Sequence, residues 1–418
     1  MLAVTMRILL HSLNFAPEPI GVGKYSGEMT QYLVSEGHEV RVVTAPPYYP
    51  SWRVAPGYDA TRYRGEQWEG AEVTRCPTWV PRDPTAVTRL AHLGSFAASS
   101  LLPLARTARW APDVVVAIAP TLLAAPGALA LARLTGAKSW LHVQDFELDA
   151  ALGLGLLGSP ARYVGERYET AALGAFDRVS SISPAMCRAL AGKGVPPNRT
   201  YLFPNWVDTQ VIRPLTAVSS FRAELGLDPR ATVVLYSGNL GLKQGLHVLV
   251  QAAALLTDLP LIQFVICGEG SARTALVQAA EEARLPHLRF LPLQPVERLN
   301  ELLNLADVHV LTELSGAADQ VMPSKLTGIL ASGRPVVATT TPRTSLGKAV
   351  CESGGGALVA PEDPRALAAA LLDLHRSPAE AASLGRNARD YAERRLERRA
   401  VLGGFCREME RLTNGGRR

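Results

Sequence analysis

Ser324 and Lys325 are the residues whose types and position most clearly predict a binding function. They stand at the start of a predicted helix, residues 325–332, for which Ser324 is a candidate N-cap. A helix start offers unpaired backbone N–H groups and roughly half a positive charge, to which these two side chains would add a hydroxyl and an ammonium. The pattern predicts a phosphate-binding site. An ordinary capped helix without a ligand is the alternative. Lys325→Glu is expected to cost little stability, because an acidic side chain is favoured at a helix start.

A second group of reactive side chains belongs to a predicted strand, residues 139–143, and the loop after it. His142 lies in the strand, and Asp145, Glu147 and Asp149 follow it. They would stand at the carboxyl end of a strand, where α/β proteins gather ligands. An imidazole and carboxylates suit the binding of sugar hydroxyls or proton transfer. A metal site at the carboxylates, and a hydrogen-bonded core position for His142, are the alternatives.

Gly21 and Gly23 lie between a predicted strand, residues 7–13, and a predicted helix, residues 24–37. This order of strand, glycine loop and helix opens a doubly wound α/β unit. Glycines at that point let the backbone approach a ligand closely. A simple turn explains the same two glycines without a ligand.

The elements that must position these residues alternate between strand and helix along the whole chain. Further strands are predicted at residues 38–45, 72–80, 113–119, 178–182, 232–237, 261–267, 288–291, 308–311 and 335–338. The pattern changes near residue 210, so we expect an N-terminal domain over residues 1–210 and a C-terminal domain over residues 211–395. Both are expected to be Rossmann-like and to face each other across a cleft. A final helix, residues 396–418, would return to brace the first domain.

Composition fits two globular domains. A chain of 418 residues is too long for one core of usual size. It is 47% hydrophobic and 19% charged, with a formal net charge of +5 and no long basic run, which argues against a nucleic-acid partner. The five cysteines are scattered without metal or redox spacing and are expected to be reduced.

Targeting signals are not evident in the sequence. The short apolar start has no small-residue cleavage signal, and nowhere do about 18 apolar residues run uninterrupted, so we expect a cytoplasmic protein without a spanning helix. A predicted helix at residues 85–109 mixes apolar residues with arginines. Core packing is one interpretation of this helix, and contact with a membrane surface is the other.

Six short motifs together resemble retaining glycosyltransferase family 4, and within it the colanic-acid biosynthesis group. They are NFAPEPIGVGKY at residues 14–25, HVQD at 142–145, PNWVD at 204–208, YSGNLGLKQG at 236–245, GEG at 268–270 and MPSKL at 322–326. The resemblance spans nearly the whole chain. It implies the GT-B fold, in which two Rossmann-like domains face a central cleft.

The resemblance also implies a function and a set of site residues. A sugar would pass from a UDP- or GDP-linked donor to a polysaccharide precursor, lipid-linked and held at the membrane, with retention of configuration and without a metal or other cofactor. Catalytic roles would fall to His142, Asp145 and Lys243, where Lys243 neutralises the diphosphate. Donor-binding residues would be Gly21, Val22, Gly23, Asn205, Ser237, Gly238, Asn239, Lys243, Gly268, Gly270, Leu293, Pro323, Ser324, Lys325 and Leu326, with Glu147 and Asp149 on the acceptor side.

The sequence departs from the family pattern at three positions. Asn239 stands in the region where many members carry an arginine a few residues before the lysine. Two glutamates of the broader family, with seven residues between them, align with Gln320 and Gly328. These changes keep a non-catalytic sugar-nucleotide-binding regulator open as an alternative. An epimerase or a phosphorylase of the same two-domain form is a further alternative.

Overall fold

The computed structural model of the protein describes residues 5–146, 159–314 and 324–415. The chain divides into two compact units. The first contains Met1–Pro204 together with Val401–Arg418, and the second contains Asn205–Ala400. The division therefore falls close to the predicted boundary near residue 210, and the end of the chain belongs to the first unit.

The first unit is built on an eight-stranded sheet in the order β3-β4-β2-β1-β5-β6-β7-β8. The strands are β1 (Arg7–Ser12), β2 (Glu39–Thr44), β3 (Arg64–Trp68), β4 (Ala71–Arg75), β5 (Val114–Ala119), β6 (Lys138–Val143), β7 (Arg178–Ser181) and β8 (Thr200–Leu202). All pairs are parallel except the β3–β4 hairpin. Every residue of β5 is buried, as expected for a parallel strand covered on both faces.

Among the described residues, five helices cover this sheet before the chain enters the second unit, and a sixth returns at the end. They are α1 (Gly21–Ser35), α2 (Ala86–Thr107), α3 (Ala125–Thr135), α4 (Ser159–Ala175), α5 (Pro184–Gly192) and the last helix, α14 (Arg398–Asn414). The order of strands reverses at β1, which lies between β2 and β5. Loops after β1 and β5 therefore leave the sheet toward opposite faces, which opens a crevice at the carboxyl ends of the strands.

The second unit has a six-stranded parallel sheet in the order β11-β10-β9-β12-β13-β14. Its strands are β9 (Thr232–Ser237), β10 (Ile262–Cys267), β11 (Leu288–Leu291), β12 (Val308–Thr312), β13 (Val336–Thr339) and β14 (Gly356–Val359). Its helices are α6 (Ser220–Glu224), α7 (His247–Leu255), α8 (Arg273–Glu282), α9 (Leu299–Leu305), α10 (Lys325–Ala331), α11 (Ser345–Ser353), α12 (Pro364–Arg376) and α13 (Pro378–Tyr391). Here the strand order reverses between β9 and β12, so the crevice lies beside the loops after those two strands.

Several predicted elements need correction. The predicted strand at residues 72–80 ends at Arg75 and pairs with β3, which was not predicted. Helix α1 begins at Gly21, three residues earlier than the predicted start at residue 24. A π-helical stretch, Ala392–Leu396, separates the two C-terminal helices.

All five cysteines are free, and no helix within the described residues is both long and apolar enough to cross a membrane.

Candidate active site

Two glycine-containing loops meet at the carboxyl edge of the second sheet, after β9 and β10. Gly238 donates its N–H to the carbonyl of Cys267 at 2.9 Å. A Cβ on Gly268 would collide with the Gly238 carbonyl, and one on Gly270 would lie 2.5 Å from the Leu240 backbone. All three glycines have positive φ angles. Their immediate structural role is to let two backbones pack against each other.

Lys325 lies over this same edge. Its Nζ donates to the hydroxyl of Tyr236 at 2.5 Å and stands 4.4 Å from the centre of the Tyr236 ring. The side chain fills the space that a Cβ on Gly238 would need. Burial lowers the pKa of Lys325 from 10.5 to about 8. An ammonium is thereby held in place with part of its solvation removed, which suits it to an anionic ligand.

The start of α10 differs from the expectation in three respects. Ser324 occupies the N-cap position, as predicted, but it has helical φ and ψ angles and its side chain forms no cap hydrogen bond. Leu326 is fully buried in the core, which leaves only its backbone for contact with a donor. The low cost expected for Lys325→Glu was based on the helix dipole alone, whereas the observed side chain packs on Tyr236. A carboxylate there would be poorly solvated, so we now expect that substitution to destabilise the protein.

Lys243 lies in a short 3-10 helix, Leu242–Gln244, between β9 and α7. The carbonyl of Gln244 accepts a hydrogen bond from the hydroxyl of Thr312, the last residue of β12. Gly245 ends the 3-10 helix in the left-handed conformation. The backbone of Lys243 is thus fixed at the point where the strand order reverses. Its side chain lies outside what the structure describes.

The other predicted donor residues of the second unit occupy varied environments. The Asn239 carbonyl accepts from the Tyr236 hydroxyl at 2.8 Å. Asn205 is buried, and its Oδ1 has no hydrogen-bond partner among the described residues. Ser237 ends β9 and is partly buried, whereas Leu293, after β11, is 62% exposed. An unpaired buried acceptor such as Asn205 Oδ1 is costly unless water or a ligand satisfies it.

Four of the residues considered in the sequence lie outside the described part of the chain. These are Glu147, Asp149, Gln320 and Pro323. Their predicted roles therefore stay predictions. Gly328 lies in the middle of α10.

In the first unit, the predicted glycines form the first turn of α1. Gly21, Val22 and Gly23 follow Ile20, which occupies the N-cap position without a side-chain cap hydrogen bond. The first N–H groups of a 15-residue helix are therefore left without a capping side chain. A Cβ on Gly23 would lie 2.5 Å from the carboxylate of Glu18, so Gly23 is required by this contact whatever else binds there.

Glu18 is a residue whose structural role was not foreseen. It is 4% exposed, and its carboxylate accepts hydrogen bonds from Asn14 Nδ2 at 3.0 Å and from the backbone N–H groups of Tyr48 and Tyr49 at 3.0 and 2.9 Å. Burial raises its pKa, which these hydrogen bonds oppose. Glu18 fastens the loop after β2 to the start of α1. The only sequence signal was an acidic residue in an otherwise apolar Pro-rich loop.

His142 belongs to the core. It is 2% exposed, its Nδ1 lies 2.9 Å from the Ser180 hydroxyl, and its ring packs 4.9 Å from that of Phe203. Burial lowers its pKa to about 3. So weak a base is a poor proton acceptor near neutral pH. The structure favours the alternative of a hydrogen-bonded core histidine, while Asp145, after β6, is only partly buried.

Comparison with known proteins identifies the family of this chain. Residues 21–206 match the family described as Glycosyl transferase 4-like domain, and residues 218–391 match Glycosyl transferases group 1. A putative colanic acid biosynthesis glycosyl transferase, WcaI of Escherichia coli K12, is 42% identical over 412 residues, covering 97% of this chain and all of that protein. The chain belongs to glycosyltransferase family 4. The family resemblance is confirmed, and the protein is a retaining glycosyltransferase.

Solved structures confirm the fold expected for this transferase. Sucrose-phosphate synthase from Thermosynechococcus elongatus superimposes with a TM-score of 0.77 at 20% identity, covering 98% of the transferase and 100% of that chain. The Anabaena protein Alr3699/HepE, solved with UDP and glucose, gives a TM-score of 0.70 at 16% identity, covering 97% and 99%. The two parallel α/β sheets of the transferase therefore form the GT-B fold.

Proposed function

We propose that this transferase moves a sugar from a UDP- or GDP-linked donor to a lipid-linked polysaccharide precursor, in the biosynthesis of an exopolysaccharide or cell-surface polysaccharide. The observation that carries the proposal is the ammonium of Lys325, held against Tyr236 at the carboxyl edge of the second sheet. The Escherichia coli relative is named for colanic acid biosynthesis, which supports the product class. Structures of Alr3699/HepE with UDP and with UDP-glucose support the donor class.

Departure of a nucleoside diphosphate requires positive charge where negative charge develops. Lys325 supplies one such charge, and we place Lys243 beside the same phosphates because its 3-10 helix follows β9. A diphosphate at this edge would restore the electrostatic stabilisation that burial takes from the Lys325 ammonium. We therefore place donor binding in the second unit and acceptor binding in the first.

The proposal is tested by a thermal-shift panel of UDP- and GDP-linked sugars. A ligand that binds only the folded state stabilises it by mass action, so one base should raise the melting temperature more than the other. No shift with any donor would count against both the transferase proposal and the regulator alternative. Slow hydrolysis or transfer of the stabilising donor would distinguish an enzyme from a regulator.

Activity is expected to survive a chelator, because lysine side chains can neutralise the diphosphate without a divalent cation. Donor consumption should be measured with and without EDTA. Complete loss that magnesium or manganese restores would contradict this prediction. The described residues contain one cluster with metal-ligand chemistry, His38, Cys406 and Glu410, so His38→Ala would then show whether the lost ion came from there.

Exposed apolar side chains on α2 support the membrane contact predicted for residues 85–109. His92, Phe96 and Leu104 are buried on one side of this helix. The opposite side should be polar in a helix that faces only water. It instead exposes four large apolar side chains at helical spacing: Val87, Leu90, Leu101 and Leu102, between 44% and 76% exposed. We propose that this apolar stripe rests on the membrane that carries the acceptor.

Vesicle binding tests the stripe. Replacing Leu101 and Leu102 together with Gln should weaken co-sedimentation with anionic phospholipid vesicles by about tenfold or more, because both side chains lose buried apolar area. Val218→Gln, a change at an equally apolar residue that is 76% exposed in the second unit, is the matched control. Binding of the double variant equal to that of the parent would contradict the membrane contact.

A further inference from the structure

Several aromatic side chains converge where the loop after β2 meets the start of α2. Tyr48, Trp52 and His92 form a cluster in which ring centres lie 4.7 to 5.5 Å apart. The His92 Nδ1 bonds the carbonyl of Trp79 at 2.7 Å, and its other nitrogen is buried without a partner among the described residues. Tyr48 and His92 are buried, so Trp52 is the member of the cluster that reaches solvent.

The backbone at Trp52 is unusual. Its φ angle is +53°, a left-handed conformation that bulky residues rarely adopt. The turn is held by hydrogen bonds from Arg53 N–H to the Tyr48 carbonyl at 3.3 Å and from Ala55 N–H to the Pro47 carbonyl at 2.8 Å. Strained backbone that its surroundings enforce is concentrated at binding sites. Here these hydrogen bonds and the contacts with Tyr48 and His92 position a partly exposed indole ring.

Arg89 adds a positive charge to this surface. Its guanidinium lies 5.4 Å from the centre of the Trp52 ring, and no carboxylate among the described residues pairs with it. Burial and the charge of Glu18 raise the pKa of Tyr49, and the charge of Arg89 opposes them, so Arg89 also acts on the Tyr49 hydroxyl. Tyr49 is 39% exposed, and its ring lies against Gly21 at the start of α1.

We propose that Tyr49, Trp52 and Arg89 bind a saccharide that carries an anionic group, and that this saccharide is the acceptor. Flat aromatic rings offer a rigid surface to the C–H faces of a sugar. A guanidinium without a carboxylate partner can form paired hydrogen bonds with a carboxylate or a phosphate. Glu18 is the positioning residue, because it ties the loop that carries Tyr49 and Trp52 to α1. Only the acceptor role rests on the proposed function; the binding itself does not.

The test uses saturation-transfer NMR with glucuronate, glucose 1-phosphate, neutral glucose and inorganic phosphate. UDP or GDP is present in excess, so that the donor phosphate site is filled. The parent should bind at least one of the two anionic sugars about tenfold more tightly than glucose, as expected for one charge-assisted hydrogen-bonded contact. Preference for glucuronate would identify a uronic acid, and preference for glucose 1-phosphate would identify a sugar phosphate.

Variants separate the two parts of the site. Arg89→Gln should abolish the preference for the anionic sugar and leave glucose binding unchanged. Trp52→Ala should weaken the binding of every sugar. Trp52→Phe should keep most of the affinity, and it controls for misfolding of the alanine variant. Glu18→Gln should weaken every sugar while keeping the preference for the anionic one, which global loss of structure would not do. Arg82→Gln, an exposed arginine just before α2, is the matched control and should bind as the parent.

Three results would overturn the proposal. These are equal affinity for glucose and both anionic sugars, an anionic preference that survives Arg89→Gln, and displacement by inorganic phosphate as effective as by glucose 1-phosphate. All three are measured with the donor site filled, and the thermal-shift panel measures donor binding separately. Failure of the acceptor site and failure of the donor proposal can therefore be told apart.

Discussion

Lys325→Met is expected to lower donor affinity by about a hundredfold, because it removes a charged hydrogen-bond donor from the diphosphate. The protein should remain at least as stable as the parent at neutral pH. The parent holds a partly desolvated ammonium against Tyr236, and methionine fills similar space without a charge. Affinity and melting temperature should be measured on the same preparations. A variant that binds the donor as tightly as the parent would remove Lys325 from the site.

The same lysine predicts opposite pH effects on binding and stability. Its folded-state pKa is about 8 against an ordinary value of 10.5. Between these values the unfolded chain keeps the proton and the folded protein loses it, so the parent should gain stability as pH rises through this window. Donor affinity should fall over the same window, because the ammonium loses its charge. Lys325→Met should show neither effect.

Lys243→Ala is expected to reduce turnover by roughly a hundredfold or more, since it removes positive charge from the departing diphosphate. Its melting temperature should change little, because the residue lies in a short 3-10 helix rather than in the core. Lys138→Ala is the matched control, as Lys138 begins β6 at the amino end of a strand, away from the edge where ligands gather. Near-normal turnover of the Lys243 variant would place the diphosphate elsewhere.

The buried strands could be predicted from the sequence because they are largely apolar runs: β5 is apolar throughout, and β10 contains a single polar residue, Gln263. Strands β3 and β14 could not. Arg64–Trp68 is largely polar and exposed, and Gly356–Val359 has four residues, none fully buried. Both lie at sheet edges, where only one neighbouring strand and less burial act on the sequence.

The charged residue of the donor site could be predicted, but its environment could not. Lys325 was recognised from its place at a helix start, whereas its contact with Tyr236 joins residues 89 positions apart and follows only from the sheet topology. His142 shows the converse. Its place near the end of a strand predicted a catalytic role. In the structure it packs against Phe203 and Ser180, which places it in the core. The role of Glu18 likewise depends on a loop about thirty residues away.

The central claim is that the second unit binds the donor diphosphate beside Lys325. The most direct measurement is a crystal structure of the protein with the nucleoside diphosphate that raises its melting temperature most. We expect a phosphate oxygen within hydrogen-bond distance of Lys325 Nζ, and the base and ribose at the carboxyl edge of the second unit's sheet, beside β9 and β12. A diphosphate bound elsewhere, with Lys325 still bonded only to Tyr236, would contradict the claim.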